Sequence, residues 1–150
     1  STKISTASIK PGDSGAVDIV LENTGNLSGS LSVNLTGIAD SENGLYEPEI
    51  EDGDLSGDEG ELSASLDVVV WVDNGAGGGV ANNGIKDGTE QGLYSGKLSE
   101  ATTGPWSVSG GLAAASTTYI GVAYSIASSV NDVIQSDSTS FDIEFVLAQN

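Results

Sequence analysis

Phe141-Asp-Ile-Glu-Phe-Val-Leu147 carries the pattern that decides the fold. Phe141, Ile143, Phe145 and Leu147 share one side of an extended backbone, and Asp142 and Glu144 take the other. Successive side chains of a strand point to opposite faces, so this spacing predicts a half-buried strand. The same period recurs at Ile120, Val122, Tyr124 and Ile126, at Leu31, Val33 and Leu35, and at Val17, Ile19 and Leu21. Leu66-Asp-Val-Val-Val-Trp-Val72 is almost continuously apolar and reads as a central strand, with Trp71 in the core. Lys3 to Ile9, Gly92 to Leu98 and Trp106 to Ser109 are shorter candidates. Pro11-Gly-Asp13, Asn23-Thr-Gly-Asn26 and Gly104-Pro105 punctuate these runs as turns. Ala113 to Ser116 reads as a short turn of helix. No internal repeat and no linker divides residues 1–150. The expectation is one domain of seven to nine strands, an antiparallel β-sandwich or jelly roll.

Composition excludes several chemistries. The chain has 22 acidic residues against four basic ones, a formal charge of −18. Phosphate backbones need clustered Lys and Arg, so nucleic acid is not expected as a partner. No cysteine, histidine or methionine is present. That removes disulfides, thiolate and imidazole metal sites, and nucleophilic catalysis that relies on a histidine base. Any metal must be held by oxygen. No apolar run approaches the length of a membrane span. The chain begins at Ser1 without methionine, which reads as a mature or trimmed form. Asn26-Leu-Ser28 and Asn34-Leu-Thr36 are sequons that would permit glycosylation outside the cell.

The acids are concentrated. Asp40 to Glu61 holds ten of them and no basic residue, interrupted by Gly44, Gly53, Gly57 and Gly60. Like charges about 6 Å apart at an effective dielectric of 20 repel by roughly 2–3 kcal/mol per pair. Such a loop either stays open and solvated or wraps a hard cation, for which calcium suits best. A second stretch, Asp73 to Glu90, opens Asp-Asn-Gly-Ala-Gly, like the start of a calcium loop. It lacks the glutamate and the flanking helices of an EF-hand, and a flexible Gly-rich hairpin is the competing reading. The candidate calcium ligands are Asp40, Glu42, Glu47, Glu49, Asp52, Asp54, Asp73, Asn74, Asp87 and Glu90. One ion takes six to eight oxygens, so they would form two sites, or sites shared between subunits.

Seven segments in order carry a resemblance. They are Ile9-Lys-Pro-Gly-Asp-Ser-Gly15, Leu21-Glu-Asn-Thr-Gly-Asn26, Glu42-Asn-Gly-Leu-Tyr-Glu-Pro-Glu49, Leu66 to Asn74, Leu93-Tyr-Ser-Gly-Lys-Leu98, Gly111 to Tyr119 and Ser138 to Gln149. Together they resemble the camelysin and TasA-like proteins, fibre subunits of bacterial biofilm matrix and of archaeal bundling pili and cannulae. The resemblance implies a jelly roll, secretion, and assembly by donor-strand exchange, in which an amino-terminal strand of one subunit completes a sheet of the next. It also implies calcium in archaeal members, the branch that the rich acidic loop favours. The family has a longer segment ahead of the Pro-Gly-Asp turn, whereas ten residues precede Pro11 here.

The expected function is therefore a homopolymeric structural subunit of an extracellular filament or tube. Thr2, Ile4 and Thr6 are expected in the donor strand or its stump, with pairing inside the same domain as the competing expectation. The alternative function is a monomeric, calcium-stabilised carbohydrate-binding or adhesion module, with Trp71, Trp106 and the tyrosines as a platform. Glu47 and Glu49 are a carboxylate pair of the kind glycosidases use, but nothing sets them across a cleft, and no enzymatic activity is expected.

Overall fold

The computed structural model describes residues 2–7, 12–41, 62–130 and 137–149. Among the described residues eight strands run in chain order: β1 (Thr2–Ala7), β2 (Ser14–Asn23), β3 (Gly29–Ser41), β4 (Leu66–Val72), β5 (Gly92–Lys97), β6 (Trp106–Ser107), β7 (Ser116–Ile126) and β8 (Ser138–Gln149). They form two four-stranded antiparallel sheets, ordered β1-β8-β3-β6 and β2-β7-β4-β5. First pairs with last, second with seventh, third with sixth and fourth with fifth, a nested order in which the paired strands are distant in sequence.

The expected alternation sets the core between the sheets. Leu31, Val33 and Leu35 of β3 and Phe141 and Ile143 of β8 face Leu66, Val68, Val70 and Val72 of β4 and Ile120, Val122 and Ile126 of β7. All are buried, and each such side chain contributes about 1.5–3 kcal/mol relative to exposure. Leu62, Leu98, Ala101, Val108 and Leu112 close the core from the connections. β4 is central, as its apolar run predicts. β2 is an edge strand, so Val17 faces inward and is still 41% exposed.

Two irregularities shape the sheets. Against β8, β3 carries one extra residue between Thr36 and Ala39, and Gly37 there takes a φ of 61°. That left-handed conformation is the one a glycine bulge requires. Opposite β4, β5 slips one residue at Leu93, because Val70 pairs with Tyr94 and Trp71 with Gly92.

One expectation is corrected, and three further features bear on the rest. Ala113 to Ser116 forms no helix: Ala115 has a φ of 51°, its N–H donates to Gly25 O, and Ser116 already opens β7. These tertiary bonds outweigh the helix preference of three alanines. The one short α-helix described, α1 (Leu62–Ser65), was not anticipated. Trp71 is buried at 1% exposure, as expected, on the face of β4 away from the inter-sheet cluster. β1, holding Thr2, Ile4 and Thr6, pairs with β8 of its own domain, from Thr2 opposite Ile143 to Ala7 opposite Ser138.

Candidate functional site

The alternation of β4 that sends Leu66, Val68, Val70 and Val72 inward sends Asp67, Val69 and Trp71 to the other face of the sheet, with Asp73 next beyond. Trp71 pairs across to Gly121 on β7, and Gly121 pairs across to Asp18 on β2. These three residues form one row across the outer face. The indole lies flat over Gly121, where any β-carbon would collide with the ring. From Asp73 the chain turns back in a loop to Gln91 before β5 begins, and Gly84 of that loop comes beside Ala16 and Asp18 of β2.

Carboxylates and backbone N–H groups organise this loop. Asp73 Oδ2 accepts from the N–H groups of Asn83 (3.1 Å) and Gly84 (2.9 Å). Glu90 Oε1 accepts from Gly75 N–H (2.8 Å) and Oε2 from Asp87 N–H (3.0 Å). Asp87 Oδ1 accepts from Val80 N–H, and its Oδ2 from the side-chain amide of Asn83. Asn74 Oδ1 accepts from Ala76 N–H, an Asx turn. Positive φ at Gly75, Gly77, Gly84 and Gly88 lets the backbone curl around these oxygens. Gly88 has no room for a side chain, because a β-carbon there would meet Ala76 O.

The environment of the acids is unusual. Asp73 is fully buried and Glu90 is 3% exposed. Asp73 Oδ1, Asp18 Oδ1 and Trp71 Nε1 are buried without a hydrogen-bond partner. Burial raises the pKa of Asp18 above the ordinary carboxylate value; the neighbouring carboxyl of Asp73 and the charges of Asp73 and Glu90 raise it further, while Gly84 N–H opposes them.

Of the ten expected ligands, Asp73, Asn74, Asp87 and Glu90 share this loop. Asp40 does not belong to it: at the end of β3 it accepts the N–H and hydroxyl of Ser63, joining the strand to α1. Glu42, Glu47, Glu49, Asp52 and Asp54 lie outside the described residues. Among the described residues, no three acidic side chains are grouped closely enough to hold a metal by themselves. Any cation in the loop would need main-chain carbonyls or water to complete its shell. Asp18 escaped sequence reasoning because an acid between Val17 and Ile19 reads as the solvent face of a strand.

The aromatic side chains that the alternative reading would use lie apart from one another in part. Trp71 is enclosed. Trp106 is half-buried and stacks on Tyr94, with ring centroids 5.2 Å apart, so each ring covers a face of the other. A shallow hollow of about 450 Å³ beside Tyr94 is lined by Val69, Lys86, Gly92, Leu93 and Ser95. Among the described residues, no helix is long and apolar enough to cross a membrane. Comparison with family models found no match, and comparison with curated proteins found none either.

Proposed function

We propose that the chain is a calcium-binding structural subunit of an extracellular filament or tube, of the camelysin and TasA-like kind, that assembles by strand donation. The observation that carries this reading is the edge where β1 sits. β1 has one neighbour, β8, and covers it from Ser138 to Ile143. Among the described residues, nothing pairs with Glu144 to Gln149 on the side away from β3. Val146 and Leu147 there are 58% and 40% exposed. Unpaired strand edges with apolar side chains are templates for a strand from another chain.

Intrachain pairing of β1 is compatible with donation. If β1 leaves its own β8 and pairs with that of a neighbour, each contact is replaced by an identical one. Such exchange is head-to-tail, so it propagates as an open polymer unless the rotation closes. The nested strand order supports a jelly-roll winding, in which the first and last strands lie side by side. The charge of −18 opposes association, and salt only shortens the range of that repulsion. Calcium held by the acidic loops would convert part of it into attraction.

Electron microscopy and light scattering test this on the full chain and on a variant lacking residues 1–9, each with calcium and with chelator. Filaments or tubes are expected from the full chain with calcium, and no polymer from the shortened one. Polymerisation indifferent to both the deletion and calcium overturns the reading.

A further inference from the structure

We propose that Asp18 of β2 and Asp73 jointly bind a divalent cation of the calcium class beneath the 73–91 loop; this rests on the calcium reading above and adds to it a ligand from the sheet itself. Three buried polar atoms lack partners in this one place: Asp18 Oδ1, Asp73 Oδ1 and Trp71 Nε1. Asp18 and Trp71 lie in one row across β2, β7 and β4, and Asp73 follows Trp71 by two residues along β4. Buried polar groups are almost always satisfied, so a cluster of exceptions points to an occupant. Two of the three atoms are carboxylate oxygens, and the carboxyl groups of Asp18 and Asp73 are near neighbours. Glu90, 3% exposed, adds its charge to the same place. Among the described residues, both lysines with a described side chain lie elsewhere in the contact pattern: Lys97 pairs with Asp67, and Lys86 lines the hollow beside Tyr94. Asp73 is fully buried and Asp18 partly so, and a divalent cation between them would offset both charges.

The remaining hydrogen bonds suit the same occupant. Oδ2 of Asp73 and both oxygens of Glu90 are already fixed by loop N–H groups, so these carboxylates are pre-oriented. Two protein carboxylates leave most of a calcium shell to main-chain carbonyls and water. A water there has an oxygen lone pair for the indole N–H of Trp71. So few charged ligands imply an affinity in the range of extracellular modules, about 10⁻⁴–10⁻³ M. Binding would tie the loop to β2, which is an edge strand.

The test titrates calcium into chelated protein and reads heat, melting temperature and Trp71 fluorescence. A Trp106→Phe background leaves Trp71 as the single tryptophan. Calcium is expected to shift Trp71 emission and raise the melting temperature. Asp18→Asn, nearly isosteric, should weaken calcium binding about tenfold or more. Circular dichroism confirms that this variant is folded. If it is not, Trp71 emission in the Asp18-intact protein still decides, because calcium held only within residues 42–61 has no reason to move it. Wild-type affinity in folded Asp18→Asn, or calcium uptake with unchanged Trp71 emission, overturns this site while leaving calcium binding standing. No calcium uptake by the parent protein overturns both.

Discussion

The inter-sheet core and the 73–91 loop are held together by opposite means. In the core, Phe141, Ile143 and Val33 of one sheet meet Val68, Val70 and Ile120 of the other, all at 2% exposure or less. The loop has few apolar residues, and its Val80 and Ile85 are 60% and 62% exposed. Its shape comes from Asp73, Asp87 and Glu90 accepting six hydrogen bonds, five of them from backbone N–H groups. The first region is stabilised by removing surface from water, without regard to direction. The second is stabilised by directed bonds whose strength depends on charge, and therefore on pH and cations. An acidic residue in such a loop has two roles available at once, since each oxygen that accepts one N–H keeps a lone pair for a ligand.

Substitutions separate the two regimes. Phe141→Ala should cost most, about 3–5 kcal/mol, by opening a cavity between the sheets. Thermal or denaturant melts would show it, and calcium should not restore the loss. An effect below about 1 kcal/mol would mean that the core is not organised as described.

Glu90→Ala should cost less, about 1–3 kcal/mol, by leaving the N–H groups of Gly75 and Asp87 without their acceptor. Amide exchange should accelerate within residues 74–90 and stay slow in β4 and β7. Uniform acceleration through both sheets would erase the distinction between the two regions.

Asp18→Asn in chelator should act in the opposite direction. A carboxyl whose pKa is raised on folding opposes stability at neutral pH, and that loss is recovered as pH falls through the folded value. The variant should therefore melt above the parent at pH 7. The gap should close as the pH approaches the unfolded value of 3.8. A gap independent of pH would show that charge at Asp18 is not the cause.

Asp67→Asn should matter least. Its ion pair with Lys97 spans 3.0 Å, but the side chains are 45% and 37% exposed. Exposed pairs contribute about 0–1 kcal/mol, less in high salt. A larger loss would give surface charge a weight that the outer face of this sheet does not otherwise suggest.

The alternation of Leu31 to Leu35, Ile120 to Ile126 and Phe141 to Leu147 was enough to place strands and their inward faces, because side-chain direction in a strand is local geometry. Turn chemistry was local too: Asn23 at the end of β2 accepts from Gly25 N–H and donates to Leu27 O. The loop residues Asp73, Asn74, Asp87 and Glu90 were legible as a group because their spacing along one glycine-rich segment keeps them together. What joins distant segments was not legible. Asp18 meets Asp73 only through the register of β2 on β7 and β7 on β4. Trp71 belongs to the row that the loop covers, although its neighbours Val70 and Val72 belong to the core, because a continuously apolar run does not say which alternate set faces inward. Asp40 binds Ser63 because the chain returns there after residues 42–61. The pairing of β1 with β8 brings together the two ends of the described chain. Periodicity assigns each residue a face at no more than neighbouring range. Partners across 50 to 140 residues are chosen by the packing of the whole sandwich, and so the tertiary structure alone decided where the carboxylates converge and, among the described residues, which strands pair.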